Sequence, residues 1–428
     1  MKKRLLTLLL SALLLFSAVS CGEQSVNTET ATAEPGETET AAEQEVHYPE
    51  VENTNISEQL AALPIANDSM STAELRKLCV DFMRLQSSFR WTPSASFEYN
   101  DTHSQKKHSF KKGTVFGGLP YTHASSNIYT WLEYYDEKTG VFDVSSFKPQ
   151  TLNNFLGNDC ADAVFWSWGR VTTTLKYLVT TDMTAVNGCI PKGGYTYDLS
   201  IKDFSKLTTR MICEQNGEQT MYKAYASLEI ADGVVVYSPS ENTDHHTQMV
   251  SAAPVVVKNA DGSINGKESY ILIIDQGGTH SETVIDGKKI TMLGGIDRKM
   301  TFSKLFTIGY IPFEIAELAG TKPVEKANAY LEGLEEGAGI KEILASNLVS
   351  NYRISNVRVR IFDDENKPFF DKIAHGTDKD MYSIAMTKIA LRPDIVEKAV
   401  PAGTHKVVVT ALLSNGENVT VYSSELTV

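Results

Sequence analysis

The chain has 428 residues, a formal net charge of −13 at pH 7 and a hydrophobic share of 42%. That acidity argues against nucleic acid as a partner and against tight electrostatic binding to anionic lipid. A chain of this length exceeds what one hydrophobic core usually holds, so two domains are expected, and its five cysteines fall in no CxxC pair, which argues against a structural zinc site.

Residues 1–20 read as a secretion signal, with Lys2, Lys3 and Arg4 ahead of the apolar run Leu5 to Val19 and small residues before Cys21. The run is short for a bilayer span. Ala18-Val19-Ser20-Cys21-Gly22 resembles a bacterial lipobox, with Ala18 where that motif most often has Leu. The resemblance implies that Cys21 is acylated, becomes the mature N-terminus and anchors the protein to a bacterial cell membrane, facing outside the cytoplasm. From Gly22 to Val46 the chain holds no aromatic and no basic residue. Such a segment buries too little apolar surface to offset its ordering entropy, so residues 21–65 are expected to form a disordered acidic tether.

Ser71-Thr72-Ala73-Glu74 is a capping box, followed by Leu75, Leu78, Cys79 and Phe82 at helical spacing, which predicts a helix with Cys79 on its apolar face. Lys106, Lys107, His108, Lys111 and Lys112 form a basic cluster, read as a solvated hairpin, with an anionic wall polymer as the alternative ligand. Phe116 to His123 is a turn-rich loop carrying Tyr121. Gly157-Asn158-Asp159-Cys160 then leads into an apolar segment that reads as a helix, with the Asx pair as its cap. A thiol at a helix start is a candidate nucleophile, because the helix dipole favours thiolate; packing in a core is the alternative. Trp166 and Trp168 lie two apart and read as packing.

The segment from Asp182 to Asn216 shows no clear period and is expected to be a loop-rich insertion; its Cys189 and Cys213 are either a disulfide or two free thiols. A short helix from Gln219 to Leu228 is expected next, then Ala231 to Tyr237 as a buried strand entered through a turn. Thr247 to Val257 and Ser269 to Asp275 read as a hairpin around the turn Asn259-Ala260-Asp261-Gly262. Residues 319–342 shift to Gly, Glu and Ala and read as a linker or a short connecting helix. Beyond them, alternating strands at Arg353 to Phe362, Ser383 to Ala390, Lys406 to Leu413 and Val419 to Leu426 suggest a small antiparallel β-sandwich of immunoglobulin-like build over residues 343–428.

Cysteine catalysis needs a base within reach and a third polar group to orient that base. Cys160 at a helix start, His246 at the start of one hairpin strand and Asp275 at the end of the other supply these parts, since such strand ends are neighbours. Gln276 is the reserve orienting residue, and His123 and His280 read as ordinary polar residues. Asp244-His245-His246 also admits a metal-site reading, although no second ligand cluster is evident.

Gly118-Leu119-Pro120-Tyr121, Asp159-Cys160 with Val164, the strand Asp232 to Val236 and His246-Thr247-Gln248-Met249-Val250 together resemble the NlpC-type papain-like cell-wall cysteine peptidases over residues 110 to 280. The chain departs from that pattern in having Ala161-Asp162 after the cysteine, where the family has Ser-Gly, and in inverting the family's Gly-Asp to Asp232-Gly233. The resemblance implies Cys160 as nucleophile, His246 rather than His245 as base, Asp275 as orienting residue and Tyr121 near the oxyanion. It further implies an α+β, papain-like domain over residues 66–318 that hydrolyses amide bonds in peptidoglycan stem peptides with no cofactor. An amidase on a non-wall substrate and a non-catalytic surface-binding lipoprotein that keeps the fold remain as alternatives.

Overall fold

The computed structural model describes residues 55–100, 107–123, 126–145, 157–173, 175, 179–238, 244–285, 287–335, 337–376, 382–389 and 400–427. The expected secretion signal, Cys21 and residues 21–54 of the expected tether lie outside them. The described chain is mixed α+β with several sheets. It begins with helices α1 (Ile56–Ala62) and α2 (Thr72–Ser88), strands β1 (Arg90–Pro93), β2 (Phe97–Asn100), β3 (Lys107–Phe110) and β4 (Val115–Gly117), and helix α3 (Ile128–Leu132). Strands β5 (Tyr135–Asp136) and β6 (Val141–Phe142), helix α4 (Cys160–Trp168), β7 (Ile190–Pro191), α5 (Thr209–Asn216) and α6 (Glu218–Ala226) follow. Four long strands come next, β8 (Gly233–Ser238), β9 (Asp244–Val255), β10 (Tyr270–Ile285) and β11 (Lys288–Thr301), then α7 (Phe302–Ile308) and β12 (Ile311–Glu314). The C-terminal unit comprises β13 (Ala329–Glu332), α8 (Ile340–Ala345), β14 (Asn347–Ser350), β15 (Ile354–Phe362), β16 (Pro368–His375), β17 (Ser383–Ala385), β18 (Thr404–Leu413) and β19 (Asn418–Thr427).

Ten strands form one sheet in the order β5-β6-β1-β4-β11-β10-β9-β8-β12-β7. Val234, Val235 and Val236 of β8 are all fully buried. Successive strand residues face opposite sides, so both faces of β8 are covered. The cap on α2 is reciprocal, Ser71 accepting from the Glu74 N–H while the Glu74 carboxylate accepts from the Ser71 N–H at 2.8 Å. All nine residues of α4 are buried, the polar Asp162 and Ser167 included. Its Ser167 donates to the Ala163 carbonyl at 2.8 Å, and Gln86 of α2 reaches both groups. A separate aromatic core gathers Trp91, Phe116, Trp131 and Phe142, with the Trp131 and Phe142 rings stacked 3.8 Å apart.

In the C-terminal unit one sheet runs β13-β14-β17 and the other β16-β15-β18-β19. Alternate residues Val357, Val359 and Ile361 on β15, and Val407, Val409 and Ala411 on β18, point into one core.

Several expectations are corrected. Residues 56–62, assigned to the tether, form α1, and their Ile56 and Leu60 are buried in the aromatic core. Residues 319–342 are not a plain linker: Leu331 of β13 and Ile340 of α8 belong to the second core, so that unit starts earlier than 343. The 182–216 segment is more than a loop, since Tyr195, Phe204, Ile212 and Cys213 are buried in the main core. The strand carrying Asp275 does not end there; β10 runs on to Ile285 against β11. Strand β16 was not foreseen, because Pro368, Phe369 and the charged Asp371 and Lys372 obscure its period. Among the described residues no helix is long and apolar enough to cross a membrane.

Candidate active site

Cys160 is the first residue of α4. Asp159 caps this helix, its carboxylate accepting from the Asp162 N–H at 2.9 Å. Two glycines fix the approach. Gly157 has φ +85°, and a Cβ there would lie 1.9 Å from the Pro120 carbonyl oxygen; Gly118 has φ +82°, with the Ser87 carbonyl oxygen at 2.5 Å from an added Cβ. The chain around Tyr121 therefore lies directly against the entry to α4. The Asn158 N–H donates to the Pro120 carbonyl at 3.1 Å, the Thr122 N–H donates to the Asn158 carbonyl at 3.1 Å, and Tyr121 pairs with Asn158 two residues ahead of Cys160. Tyr121 is half-buried, its ring edge-on to that of His123.

The base comes from the sheet. In β9, His246 stands opposite Val236 and His245 opposite Tyr237. Alternation sends the two rings to opposite faces, which removes a joint metal site. The His245 ring packs on Tyr237, centroids 4.3 Å apart, whereas the His246 side chain hydrogen-bonds to the Cys160 thiol and places Nε2 2.6 Å from Asp275 Oδ2. With Nε2 committed to Asp275, Nδ1 is the nitrogen left to serve the sulfur. Continuing the register Ile273↔Val250 and Ile274↔Met249 sets Asp275 opposite Gln248, with His246 on the diagonal. Gln248 Nε2 accordingly donates to Asp275 Oδ2 at 3.4 Å.

The sequence reading missed Arg298. Its guanidinium donates to both Asp275 oxygens, from Nε to Oδ1 at 3.2 Å and from the terminal nitrogen to Oδ2. A β-bulge makes this possible: Ile273 pairs with Arg298 and Asp275 with Gly295, so β11 carries one extra residue. Asp297 takes the strained position at φ 51°, and Arg84 of α2 holds its carboxylate at 2.7 and 2.8 Å. Gly295 keeps the space open, because a Cβ there would lie 2.2 Å from Arg298 Nε and 2.4 Å from Asp275 Oδ1. The signal in the sequence was Gly294-Gly295 inside an apolar strand.

The electrostatics follow from these contacts. Burial works to lower the His246 pKa, but the negative sulfur of Cys160 and the hydrogen bonds to Asp275 and Cys160 prevail and raise it to about 10. Burial works to raise Asp275, yet its hydrogen bond to His246 and the charges of His246 and Arg298 hold it below the usual carboxylate range. This arrangement favours the charged imidazolium form of the His246 ring. Burial pushes the thiols of Cys79 and Cys213 up to about 12. Cys189 and Cys213, the candidate disulfide, are free and buried. Gln276, the reserve orienting residue, is turned away and donates to the Leu119 carbonyl. His280 lies in β10, and its side chain lies outside the described residues.

Glu229, Asp232 and Glu314 also converge, with ligand atoms within 4.8 Å of one another. Two cations already balance them. Arg76 lies 2.5 Å from Asp232 and 2.9 Å from Glu314, and Lys192 lies 2.6 Å from Glu229 and 2.8 Å from Glu314. No protein-family model, curated protein or solved structure matches this chain.

Proposed function

We propose that this protein is a papain-like cysteine hydrolase that cleaves amide bonds in peptidoglycan stem peptides, held at the outer face of a bacterial membrane through acylated Cys21. The observation that carries the hydrolase reading is the contact chain from Cys160 through His246 to Asp275, built at the start of a buried helix lying against antiparallel strands. The peptidoglycan substrate rests on the four-motif resemblance, and an immunoglobulin-like build for the C-terminal unit rests on its strand pattern.

In this mechanism the Cys160 thiolate attacks the amide carbonyl carbon. The resulting oxyanion is stabilised by the first-turn N–H of Cys160 and by the Tyr121 hydroxyl. The His246 imidazolium gives its proton to the departing amine as the carbon–nitrogen bond breaks, leaving a thioester. Neutral His246 then takes a proton from water, whose oxygen attacks the thioester; the carboxylic acid leaves and the thiolate–imidazolium pair returns. Asp275 keeps the ring oriented throughout.

Cys160→Ala is expected to abolish wall-digesting activity, a loss of at least about 10³-fold, while the protein stays folded. Undiminished turnover in that variant would end the hydrolase reading. For the anchor, Cys21→Ser is expected to move the protein out of the membrane fraction, and full retention there contradicts it. One observation favours the non-catalytic alternative: Cys160 is only 3% exposed. Labelling of Cys160 by a thiol-reactive amide probe that disappears in His246→Ala supports the enzyme; labelling indifferent to His246 supports the binding protein.

A further inference from the structure

The C-terminal unit grips the whole length of α4. At its start, Arg353 Nη1 lies 3.5 Å from Asp162 Oδ1, with side-chain exposures of 7% and 0%. In its middle, the same guanidinium stacks on Trp166, 4.1 Å from the ring centroid. At its end, the Ser414 hydroxyl donates to the Gly169 carbonyl at 2.8 Å, and the Ser414 N–H donates to the Arg353 carbonyl at 2.8 Å. Nearby, Ser355 Oγ donates to Asn127 Oδ1 at 3.1 Å. Asp162 stands two residues beyond Cys160, where the chain departs from the family pattern. A carboxylate in the first turn competes with a thiolate for the positive end of the helix. A buried one also requires a partner charge.

We infer that Arg353 is a positioning residue for the nucleophile: carried by the C-terminal unit, it offsets the Asp162 carboxylate and holds the start of α4 against His246. The inference rests on Cys160 being that nucleophile. It gives the C-terminal unit a role inside the site rather than beside it. The charged and titratable groups around the helix start are Asp159 and Asp162 on α4, His246 on β9, Asp275 on β10, Arg298 on β11, Tyr121 on the preceding loop and Arg353.

The test is iodoacetamide alkylation of the full-length protein across pH, read at Cys160 by mass spectrometry. Arg353→Gln leaves the Asp162 charge and is expected to move the thiolate inflection up by about half a pH unit; Asp162→Asn leaves the Arg353 charge and is expected to move it down by about as much. The double variant is expected to return close to the parent. Opposite signs are the signature, because structural damage alone moves both variants the same way. Shifts of one sign, or none in either variant, overturn the inference. If Arg353→Gln does not fold, Asp162→Asn decides alone: a downward shift supports the inference, and no shift or an upward one overturns it. The hydrolase reading fails separately, through alkylation of the parent protein that ignores His246→Ala, and the charge signature is still read in that case.

Discussion

Two charge clusters, each built around a buried aspartate, tie helix α2 to the strands of the ten-stranded sheet, and they differ in kind. The first joins Arg76 and Lys192 to Glu229, Asp232 and Glu314. There burial outweighs the neighbouring cations and raises the Asp232 pKa. The second joins His246, Asp275 and Arg298, with Arg84 and Asp297 bracing the bulge behind them. There the charges outweigh burial and hold Asp275 low. Both are dense in titratable groups, yet only the second places a proton-exchanging ring between a carboxylate and a sulfur. Perturbed groups therefore mark a site only where their partners can also trade a proton; a cluster whose cations stay charged is structural.

Removing one member from each cluster separates the two roles. Arg76→Met leaves Asp232 buried without its closest cation and is expected to lower unfolding free energy by about 3–5 kcal/mol. Activity per folded molecule is expected to stay unchanged; chemical denaturation and active-site titration read the two separately, and a stable but inactive variant would erase the distinction. Arg298→Met is the smaller break. Its side chain is 49% exposed, so solvent screens the pair with Asp275 and the expected loss is about 1 kcal/mol of transition-state stabilisation, roughly fivefold in kcat/KM. Stability in that variant should barely move, and a thermal melt that drops sharply with normal kinetics would reassign Arg298 to the structural class.

Much of the candidate site was legible because its signals are local. A cap and a cysteine at a helix start announce themselves within four residues, and strand alternation separates His246 from His245 as soon as the register is known. What was not legible depends on three-dimensional accidents of register or on distant chain. Arg298 reaches Asp275 only because a bulge adds one residue to β11, and no spacing rule predicts where a bulge falls. Arg353 meets Asp162 across 191 residues, so the unfamiliar Ala161-Asp162 looked like a defect in a motif rather than half of a charge pair. Helix α1 escaped notice because Ile56 and Leu60 are two apolar positions in a short polar stretch, and short helices take their stability from packing rather than from sequence.

The central claim is that Cys160 and Asp275 together keep the His246 ring protonated before substrate arrives. The ¹⁵N chemical shifts of the His246 ring, followed across pH in the parent protein and in Cys160→Ala, test it directly. The sulfur's charge favours the imidazolium, so the ring is expected to remain protonated through neutral pH and to lose its proton as pH rises through about 10; without the sulfur the transition should move down toward the ordinary histidine range near 6.5. The same sign predicts that the stability lent by the charged ring is fully present below that ordinary value and fades as pH rises through about 10. A ring that titrates near 6.5 in the parent and does not respond to loss of Cys160 would contradict the account.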